Sequence, residues 1–301
     1  MYLEHFGLRE PPFTLTPDTS FYFNATGHRE ALEVLQVAID GGEGFIKIIG
    51  EVGTGKTLLC RKLLDQLEAP YLTAYLPNPL LGPVEIYRAV ASELGLDVST
   101  RATANMLLSA LNSHLIQLCA AGHRVVLCID EVQAMAEKSL EALRLLSNLE
   151  TEKSKLLQIV LFAQPELDVR LRQDCLRQLR QRIVFSYRLP PLNDEGIRDY
   201  VAHRMLVAGH QGGAPLSPAA MKLLRHGSCG IPRLVNILCH KALMAAYGQG
   251  GRRIEAKHLQ VAIADTEDAV CPKRGWLLAG GALATLGLAV LAGFFLKGMA
   301  G

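Results

Sequence analysis

A net charge is nearly absent from this chain of 301 residues, which has 31 lysines and arginines against 29 aspartates and glutamates. Three of the basic residues and no acidic residue lie beyond residue 271, so the part before it carries a net charge of −1. A protein that binds nucleic acid in bulk normally shows a basic excess. We therefore do not expect nucleic acid to be a main partner.

Two further absences narrow the class of protein. The seven cysteines contain no CxxC pair, which argues against a zinc site or a disulfide framework and fits reduced thiols. The first residues, MYLEHFGLREPPF, contain no basic region followed by an apolar run. This start lacks the pattern of a secretory signal.

One long apolar run is present near the end, where residues 276–296 (WLLAGGALATLGLAVLAGFFL) contain no charge. A helix of this length spans about 30 Å, the thickness of the hydrocarbon core of a bilayer. Thr285 has the only side-chain hydroxyl in the run, so a helix here would have no polar face, which argues against a buried core helix. The run predicts a transmembrane helix. Lys273 and Arg274 favour keeping the large preceding part in the cytoplasm.

Apolar, β-rich runs alternate with helical stretches in the first part of the chain. The predicted strands are 45–49, 71–76, 125–129, 157–163 and 183–189, and the predicted helices are 28–40, 57–67, 84–94, 104–121 and 137–149. This alternation predicts an α/β core in three αβα layers with a five-stranded parallel sheet.

Only helical patterns follow Pro190 and Pro191. Helix starts are predicted at Asn193 or Asp194, at Ser217 with Pro218, at Pro232 and near Glu255. The predicted organisation is a core at 1–190, an all-helical lid at 191–268, a linker at 269–275, the transmembrane helix at 276–296 and a short tail at 297–301.

The segment GEVGTGKT at 50–57 matches the pattern GxxxxGK[ST] in full and lies between a predicted strand and a predicted helix. The glycines let backbone N–H groups turn toward phosphate oxygens, and the helix N-terminus adds a favourable dipole. Lys56 is expected to reach the β- and γ-phosphates of ATP, and the Thr57 hydroxyl to bind Mg²⁺. The predicted phosphate-binding residues are Gly50, Glu51, Val52, Gly53, Thr54, Gly55, Lys56, Thr57 and Leu58.

An acidic pair, Asp130 and Glu131, ends the predicted strand in VVLCIDE. Ligands of parallel sheets lie at the carboxyl ends of strands. Asp130 is expected to orient Mg²⁺ through water, and Glu131 to polarise the water that attacks the γ-phosphate. The alternative is a solvated acidic pair without a catalytic role.

The helical part with GIPR at 230–233 resembles the AAA+ ATPases. More narrowly, the chain resembles the ExeA/GspA-type secretion ATPases, in particular those of mannose-sensitive haemagglutinin type IV pilus biogenesis. The stretches that carry the resemblance are MYLEHFGLREPPFTLTPD at 1–18, GEGFIKIIGEVGTGKTLLCRKLL at 42–64, DEVQAM at 130–135, LRLLSNLET at 143–151, LLQIVLFAQPEL at 156–167, LRQRI at 179–183 and GIPRLVNIL at 230–238.

The resemblance implies ATP hydrolysis with Mg²⁺, self-association as a ring or dimer, and inner-membrane pilus or secretion proteins as partners. It also implies a bacterial inner-membrane location. ExeA-type members continue beyond the span into a peptidoglycan-binding part, whereas this sequence stops five residues after Leu296. Direct wall binding is therefore not expected from the resemblance.

Several residue roles follow from the same resemblance. Gln164 matches a polar sensor near the γ-phosphate, although it could simply cap a strand. Arg182 matches an arginine finger that reaches ATP on a neighbouring subunit, with Arg177 and Arg180 as competitors. Arg233 matches a lid arginine that contacts the γ-phosphate, the alternative being a charge on a helix surface.

The segment that begins at Pro12 and Phe13 and runs through Pro17 matches the N-terminal region that flanks adenine in the family; packing alone is the alternative.

Two other functions are consistent with parts of the sequence. An arginine cluster at positions 170, 172, 177, 180, 182 and 188, interrupted only by Asp174, suggests a DNA-associated AAA+ ATPase of the transposition-helper type. A solvated helix with an arginine finger explains the cluster equally well, and the predicted span argues against this class. A nucleotide-gated scaffold with negligible turnover is the third reading, and the presence of Glu131 weighs against it.

Overall fold

Five parallel strands form the central sheet of the protein, which we describe from a computed structural model covering residues 2–151 and 155–269. The strands are β1 (Phe45–Ile49), β2 (Tyr71–Leu76), β3 (Arg124–Ile129), β4 (Leu157–Ala163) and β5 (Ile183–Arg188), in the spatial order β2-β3-β4-β1-β5. All four neighbouring pairs are parallel. The predicted five-stranded parallel sheet is confirmed, with strand ends within one residue of the prediction.

The position of each strand explains its residue pattern. Every residue of β1 and β4 is buried, because both strands lie inside the sheet and helices cover both faces. β5 lies at one edge, and its residues alternate between half-buried and exposed. The carboxyl ends of β1, β3 and β4 consequently meet at one edge of the sheet, where ligands of parallel sheets bind.

Helices cover the sheet on both faces. The helices of this part are α1 (Tyr2–His5), α2 (Thr26–Asp40), α3 (Lys56–Gln66), α4 (Pro83–Glu93), α5 (Ala104–Ala120), α6 (Glu137–Leu146), α7 (Glu166–Arg170) and α8 (Arg177–Arg182). One apolar cluster joins α2 and α3 to side chains such as Ile46 and Ile48 of β1. A second cluster joins α4, α5 and α6 to Phe45 and Ile49 on the opposite face of the same strand. The core therefore has three layers.

Four α-helices follow the sheet in the described chain: α9 (Asp194–Val207), α10 (Pro218–Ser228), α11 (Pro232–Gly248) and α12 (Ala256–Ala264). They form the C-terminal helical bundle. Asn193 Oδ1 accepts from the Gly196 N–H at 2.7 Å, and Ser217 Oγ accepts from the Ala220 N–H at 3.3 Å. Both helices thus begin at the expected capping residues.

The N-terminal segment packs into this bundle. Phe6, Leu8, Phe13 and Phe21 are buried in one apolar cluster with side chains of the bundle, such as Val235. Residues from both ends of the described chain therefore share a core, and the same segment also contacts α3, where Arg61 Nη1 donates to the Pro17 carbonyl. The predicted division at residue 190 stays a prediction.

Within residues 2–151 and 155–269, no helix is both long enough and apolar enough to cross a membrane. The predicted transmembrane helix at 276–296 and the tail at 297–301 lie outside the described residues. Five cysteines in the described part, Cys60, Cys119, Cys128, Cys175 and Cys239, are free thiols.

Candidate nucleotide site

The segment at 50–57 forms a tight loop between the end of β1 and the start of α3. Gly53 and Gly55 have φ angles of 79° and 96°, a left-handed backbone that favours glycine. The buried Thr54 hydroxyl donates to the Glu51 carbonyl at 2.8 Å and closes the turn. The loop therefore has the strand, turn and helix arrangement that the motif requires for binding phosphate.

Lys56 points into this loop. Its side chain is buried, and Nζ donates to the carbonyl oxygens of Gly50 at 2.9 Å and Glu51 at 3.0 Å. Burial lowers the pKa of Lys56, while the negative charges of Glu131 and Asp130 act in the opposite direction. The ammonium is thus held by weak neutral acceptors that stronger anionic acceptors can replace.

Thr57 and Asp130 are brought together from α3 and the end of β3. The Thr57 hydroxyl donates to Asp130 Oδ2 at 2.6 Å. Asp130 is only 3% exposed, and its other oxygen accepts from the Glu131 N–H at 2.8 Å. Burial raises the pKa of Asp130, and the hydrogen bond from Thr57 lowers it.

These two oxygen ligands fit Mg²⁺, which prefers hard oxygen donors and is usually bound by one or two protein groups together with phosphates and water. Within the part of the chain that the structure covers, no group of three or more His, Cys, Asp or Glu side chains could hold a metal by itself.

Glu131 follows Asp130 in a left-handed backbone conformation with φ of 53°. Its Oε2 atom accepts from Gln164 Nε2 at 2.9 Å and from Gln133 Nε2 at 2.5 Å. Non-glycine residues in this conformation cost about 1–3 kcal/mol and are concentrated at functional sites. The structure thus places Gln164, at the end of β4, directly on the predicted catalytic carboxylate.

The sequence reasoning missed Gln133. Its Oε1 atom accepts from the Gln164 N–H at 3.0 Å, so Gln133 contacts both Glu131 and Gln164. The only local signal was a polar side chain two residues after Glu131.

Arg233 approaches the phosphate loop from the start of α11. Its backbone N–H donates to the Gly53 carbonyl at 3.1 Å, and its side chain lines the cavity beside the loop. The predicted lid arginine therefore lies at the nucleotide site.

A cavity of about 310 Å³ opens above the loop. The residues that line it from the loop are 52–58, those from the N-terminal segment are 14–18 and 21–23, and those from the bundle include Tyr200, Arg204, Arg233 and Asn236. Pro12 and Phe13 are buried beneath the cavity lining, whereas Thr14 to Pro17 belong to it. Of the segment expected to flank adenine, the second half therefore lines the cavity.

Arg204 holds the N-terminal segment against α9, and this residue was also missed. It is 4% exposed, donates from Nε to the Pro12 carbonyl at 2.5 Å and from Nη2 to the Thr14 carbonyl at 3.3 Å. Its guanidinium lies 4.3 Å from the centre of the Phe21 ring. On the other side, Arg61 Nη1 of α3 donates to the Pro17 carbonyl at 2.9 Å. Side chains from both parts of the protein therefore fix this wall.

His28 of α2 packs against the phosphate loop at Thr54 and Gly55. The imidazole is 7% exposed, and burial lowers its pKa to about 4, partly opposed by a hydrogen bond with the Thr54 backbone. A Cβ atom on Gly55 would lie 2.9 Å from His28 Nε2, so the close packing needs glycine there.

Arg182 lies outside the residues that line the cavity. It is half-buried, and Nη1 donates to the Ser147 hydroxyl at 2.7 Å. Arg177 and Arg180 of the same helix are exposed. The assignment of an arginine finger among these residues stays a prediction.

Known proteins provide a comparison for this arrangement. Residues 39–171 match a family described as AAA domain. General secretion pathway protein A of Aeromonas hydrophila is 43% identical over 255 residues, which cover 84% of this chain and 46% of that protein. The chain thus spans less than half the length of this relative.

Solved structures of low sequence identity share the fold. Cdc6p of Pyrobaculum aerophilum has a TM-score of 0.65 at 17% identity, covering 89% of this chain and 73% of its own. The ORC2 protein of Aeropyrum pernix has a TM-score of 0.61 at 17% identity, covering 85% and 73%.

The loop with Lys56, the paired Thr57 and Asp130, and the adjacent Glu131 lie within the residues that match the AAA domain. The match to the AAA domain and the 43% identity to General secretion pathway protein A together show that the chain belongs to the ExeA/GspA family of AAA+ proteins.

Proposed function

We propose that the protein binds and hydrolyses ATP with Mg²⁺ to support assembly of a secretion apparatus or an MSHA-like type IV pilus at the bacterial inner membrane. The observation that carries this proposal is the hydrogen bonding of Asp130 with Thr57 and Glu131 at one edge of the sheet, beside the loop into which Lys56 points. The identity to General secretion pathway protein A supports the secretion part.

Binding begins with an exchange of partners at the loop. Lys56 leaves the carbonyls of Gly50 and Glu51 for the β- and γ-phosphates, because charge-assisted hydrogen bonds to phosphate are stronger than bonds to neutral carbonyls. Backbone N–H groups of residues 50–58 surround the phosphates. Thr57, and Asp130 through water, would hold Mg²⁺, which would neutralise charge that develops on the phosphates.

Hydrolysis requires a positioned water. Glu131 accepts a proton from the water that attacks the γ-phosphate, and Gln164 orients that water from the end of β4. Arg233 contacts the γ-phosphate from α11, so closure of the helical lid at 191–268 onto the core at 1–190 completes the site. The contact between Arg233 and Gly53 supports this coupling.

Self-association would bring one further positive charge, the guanidinium of Arg182, to the nucleotide. Arg182 reaches the ATP of a neighbouring subunit in a ring or dimer, after leaving the Ser147 hydroxyl that holds it here. Turnover would then depend on the oligomeric state.

The segment 276–296 anchors the protein as a single-pass helix, with the ATPase part in the cytoplasm. A charge near the middle of a span costs about 2.5–3.5 kcal/mol, so Leu288→Arg is expected to move full-length protein out of the carbonate-resistant membrane fraction. The matched control is Leu206→Arg, because Leu206 of α9 is 68% exposed. Equal membrane retention of the two variants would contradict the anchor.

The energy-coupling part is tested with full-length protein in detergent and in cells. Lys56→Ala is expected to abolish ATP hydrolysis and, in the native host, pilus assembly or secretion. Loss of hydrolysis with intact assembly would show that ATP turnover does not drive the process.

The DNA-associated alternative has less support from the geometry. Arg170 donates to the Gln133 carbonyl, Arg182 to Ser147 and Arg188 to Asp168, so half of the arginine cluster makes hydrogen bonds to other residues of the chain. Salt-dependent binding of duplex DNA that is lost with Arg172→Glu would favour this alternative.

A further inference from the structure

Gln133 makes three hydrogen bonds beside the predicted catalytic residue Glu131. Its amide nitrogen donates to Glu131 Oε2 at 2.5 Å, and its amide oxygen accepts from the Gln164 N–H at 3.0 Å. Its own carbonyl accepts from Arg170 Nη1 at 2.6 Å. Gln133 therefore connects the ends of two strands, β3 through Glu131 and β4 through Gln164.

From these contacts we infer that Gln133 and Arg170 form a brace that positions the Glu131 carboxylate for attack by water on the γ-phosphate. Both are positioning residues, which act through Glu131 and not on the nucleotide. The inference rests on the proposed catalytic role of Glu131 and goes beyond it by naming the groups that orient this side chain.

The hydrogen bonds distinguish the two oxygens of the carboxylate. Gln133 and Gln164 both donate to Oε2, which lowers the capacity of that oxygen to accept a proton. Proton transfer from the attacking water consequently falls to Oε1. A fixed side-chain torsion of Glu131 is required for this, since rotation about the carboxylate bond would exchange the two oxygens.

The backbone at Glu131 cannot provide this rigidity alone. Its φ of 53° is a strained conformation that persists only when surrounding contacts hold it. The hydrogen bond from Arg170 stabilises the turn that follows Glu131, because its acceptor is the backbone carbonyl of Gln133.

Arg170 is in turn tied to the interior of the sheet. It is the last residue of α7, a short helix that begins two residues after Gln164. Asp168 in the same helix pairs with Lys47, which is 9% exposed on the interior strand β1. The arginine that looked in the sequence like part of a DNA-binding cluster is thus assigned to the catalytic centre.

Steady-state ATP hydrolysis by the full-length protein in detergent tests the brace. Gln133→Met keeps the size of the side chain and removes its amide, so kcat is expected to fall about 10- to 100-fold with the KM for ATP within about 2-fold. Arg170→Met is expected to reduce kcat about 10-fold, whereas Arg170→Lys retains a donor to the carbonyl and restores most of it. Arg172→Met is the control, because Arg172 is exposed just beyond α7.

Glu131→Gln separates the failure of this inference from failure of the proposed function. If Glu131→Gln keeps normal turnover, the catalytic role of Glu131 is wrong, and the brace fails with it. If Glu131→Gln abolishes turnover while Gln133→Met and Arg170→Met keep kcat within about 2-fold, only the brace is overturned.

A rise in KM without a fall in kcat would also overturn the brace, since it would assign Gln133 to nucleotide binding. If Gln133→Met does not fold, the comparison of Arg170→Met with Arg170→Lys decides: equal kcat in the two variants contradicts the inference.

Discussion

The backbone N–H of Arg233 donates to the carbonyl oxygen of Gly53 at 3.1 Å, so the helical bundle is bonded directly to the phosphate loop. Space is limited at this contact, because a Cβ atom on Gly53 would lie 2.5 Å from Cβ of Arg233. A change in the loop at Gly53 therefore bears directly on the first turn of α11. A nucleotide that reshapes the loop acts on the bundle through this pair.

Gly53→Ala is expected to weaken ADP binding by at least about 10-fold, which corresponds to about 1.4 kcal/mol. The substitution adds the clash with Arg233 to the strain of a left-handed backbone, which costs about 1–2 kcal/mol. Isothermal titration calorimetry measures the affinity.

Gly122→Ala is the matched control, since Gly122 has a φ of 86° with nothing within 4 Å of an added Cβ. It should lose about 1 kcal/mol of stability and keep its affinity. Equal affinities would contradict the contact.

The buried imidazole of His28 predicts a pH-dependent stability. Its pKa is about 4 in the folded protein against 6.5 ordinarily, so the unfolded chain binds the additional proton between these values. The stabilisation is complete above pH 6.5 and is lost as pH falls toward 4, with a total of about 3 kcal/mol. Denaturant unfolding between pH 4 and 7 should show a weaker pH dependence for His28→Gln.

The control for this measurement is His226→Gln, which removes an exposed imidazole from α10. If the His28→Gln variant loses stability toward pH 4 as steeply as the His226→Gln variant, His28 is not the group that takes up the proton.

Arg204 predicts a link between the N-terminal segment and nucleotide affinity. Arg204→Met removes the donors to the carbonyls of Pro12 and Thr14, and each such bond from a charged group contributes about 1.5–3 kcal/mol. We expect a loss of at least about 3 kcal/mol in the free energy of unfolding, the lower limit for two such bonds, and weaker ADP binding. Arg198→Met, an exposed arginine of the same helix, serves as the control. Lower stability with unchanged ADP affinity would show that the segment does not shape the site.

The strands could be located from the sequence because each is a short apolar run that the sheet buries. Their order could not, since β1, β3 and β4 are similarly apolar and no local signal states which of them are neighbours. This order places β4 between β1 and β3 and thus brings Gln164 onto Glu131.

The residues of the site also divide into those that local sequence patterns predict and those that only the folded chain brings together. The phosphate loop and the acidic pair are local patterns, and the sequence alone identified them. Arg204 and Pro12 are separated by 192 residues, and their contact exists only after the bundle packs on the N-terminal segment. No periodicity or spacing reports such a contact.

Mixing two inactive variants tests whether Arg182, which donates to Ser147 in this structure, acts as an arginine finger. A finger contributes about 10³-fold or more to kcat, so Arg182→Ala should have very low turnover, and Glu131→Gln should have none. Mixed oligomers of the two variants contain sites with an intact Glu131 and a neighbouring intact Arg182. We therefore expect the mixture to hydrolyse ATP faster than either variant alone.

Arg177→Ala is the comparison for this experiment, because Arg177 is an exposed residue of the same helix that contains Arg182. If Arg177→Ala loses turnover and regains it on mixing with Glu131→Gln, while Arg182→Ala remains active alone, the finger is Arg177. The hydrogen bond from Arg182 to Ser147 would then serve to attach α8 to the end of α6, and subunit contact would leave it in place.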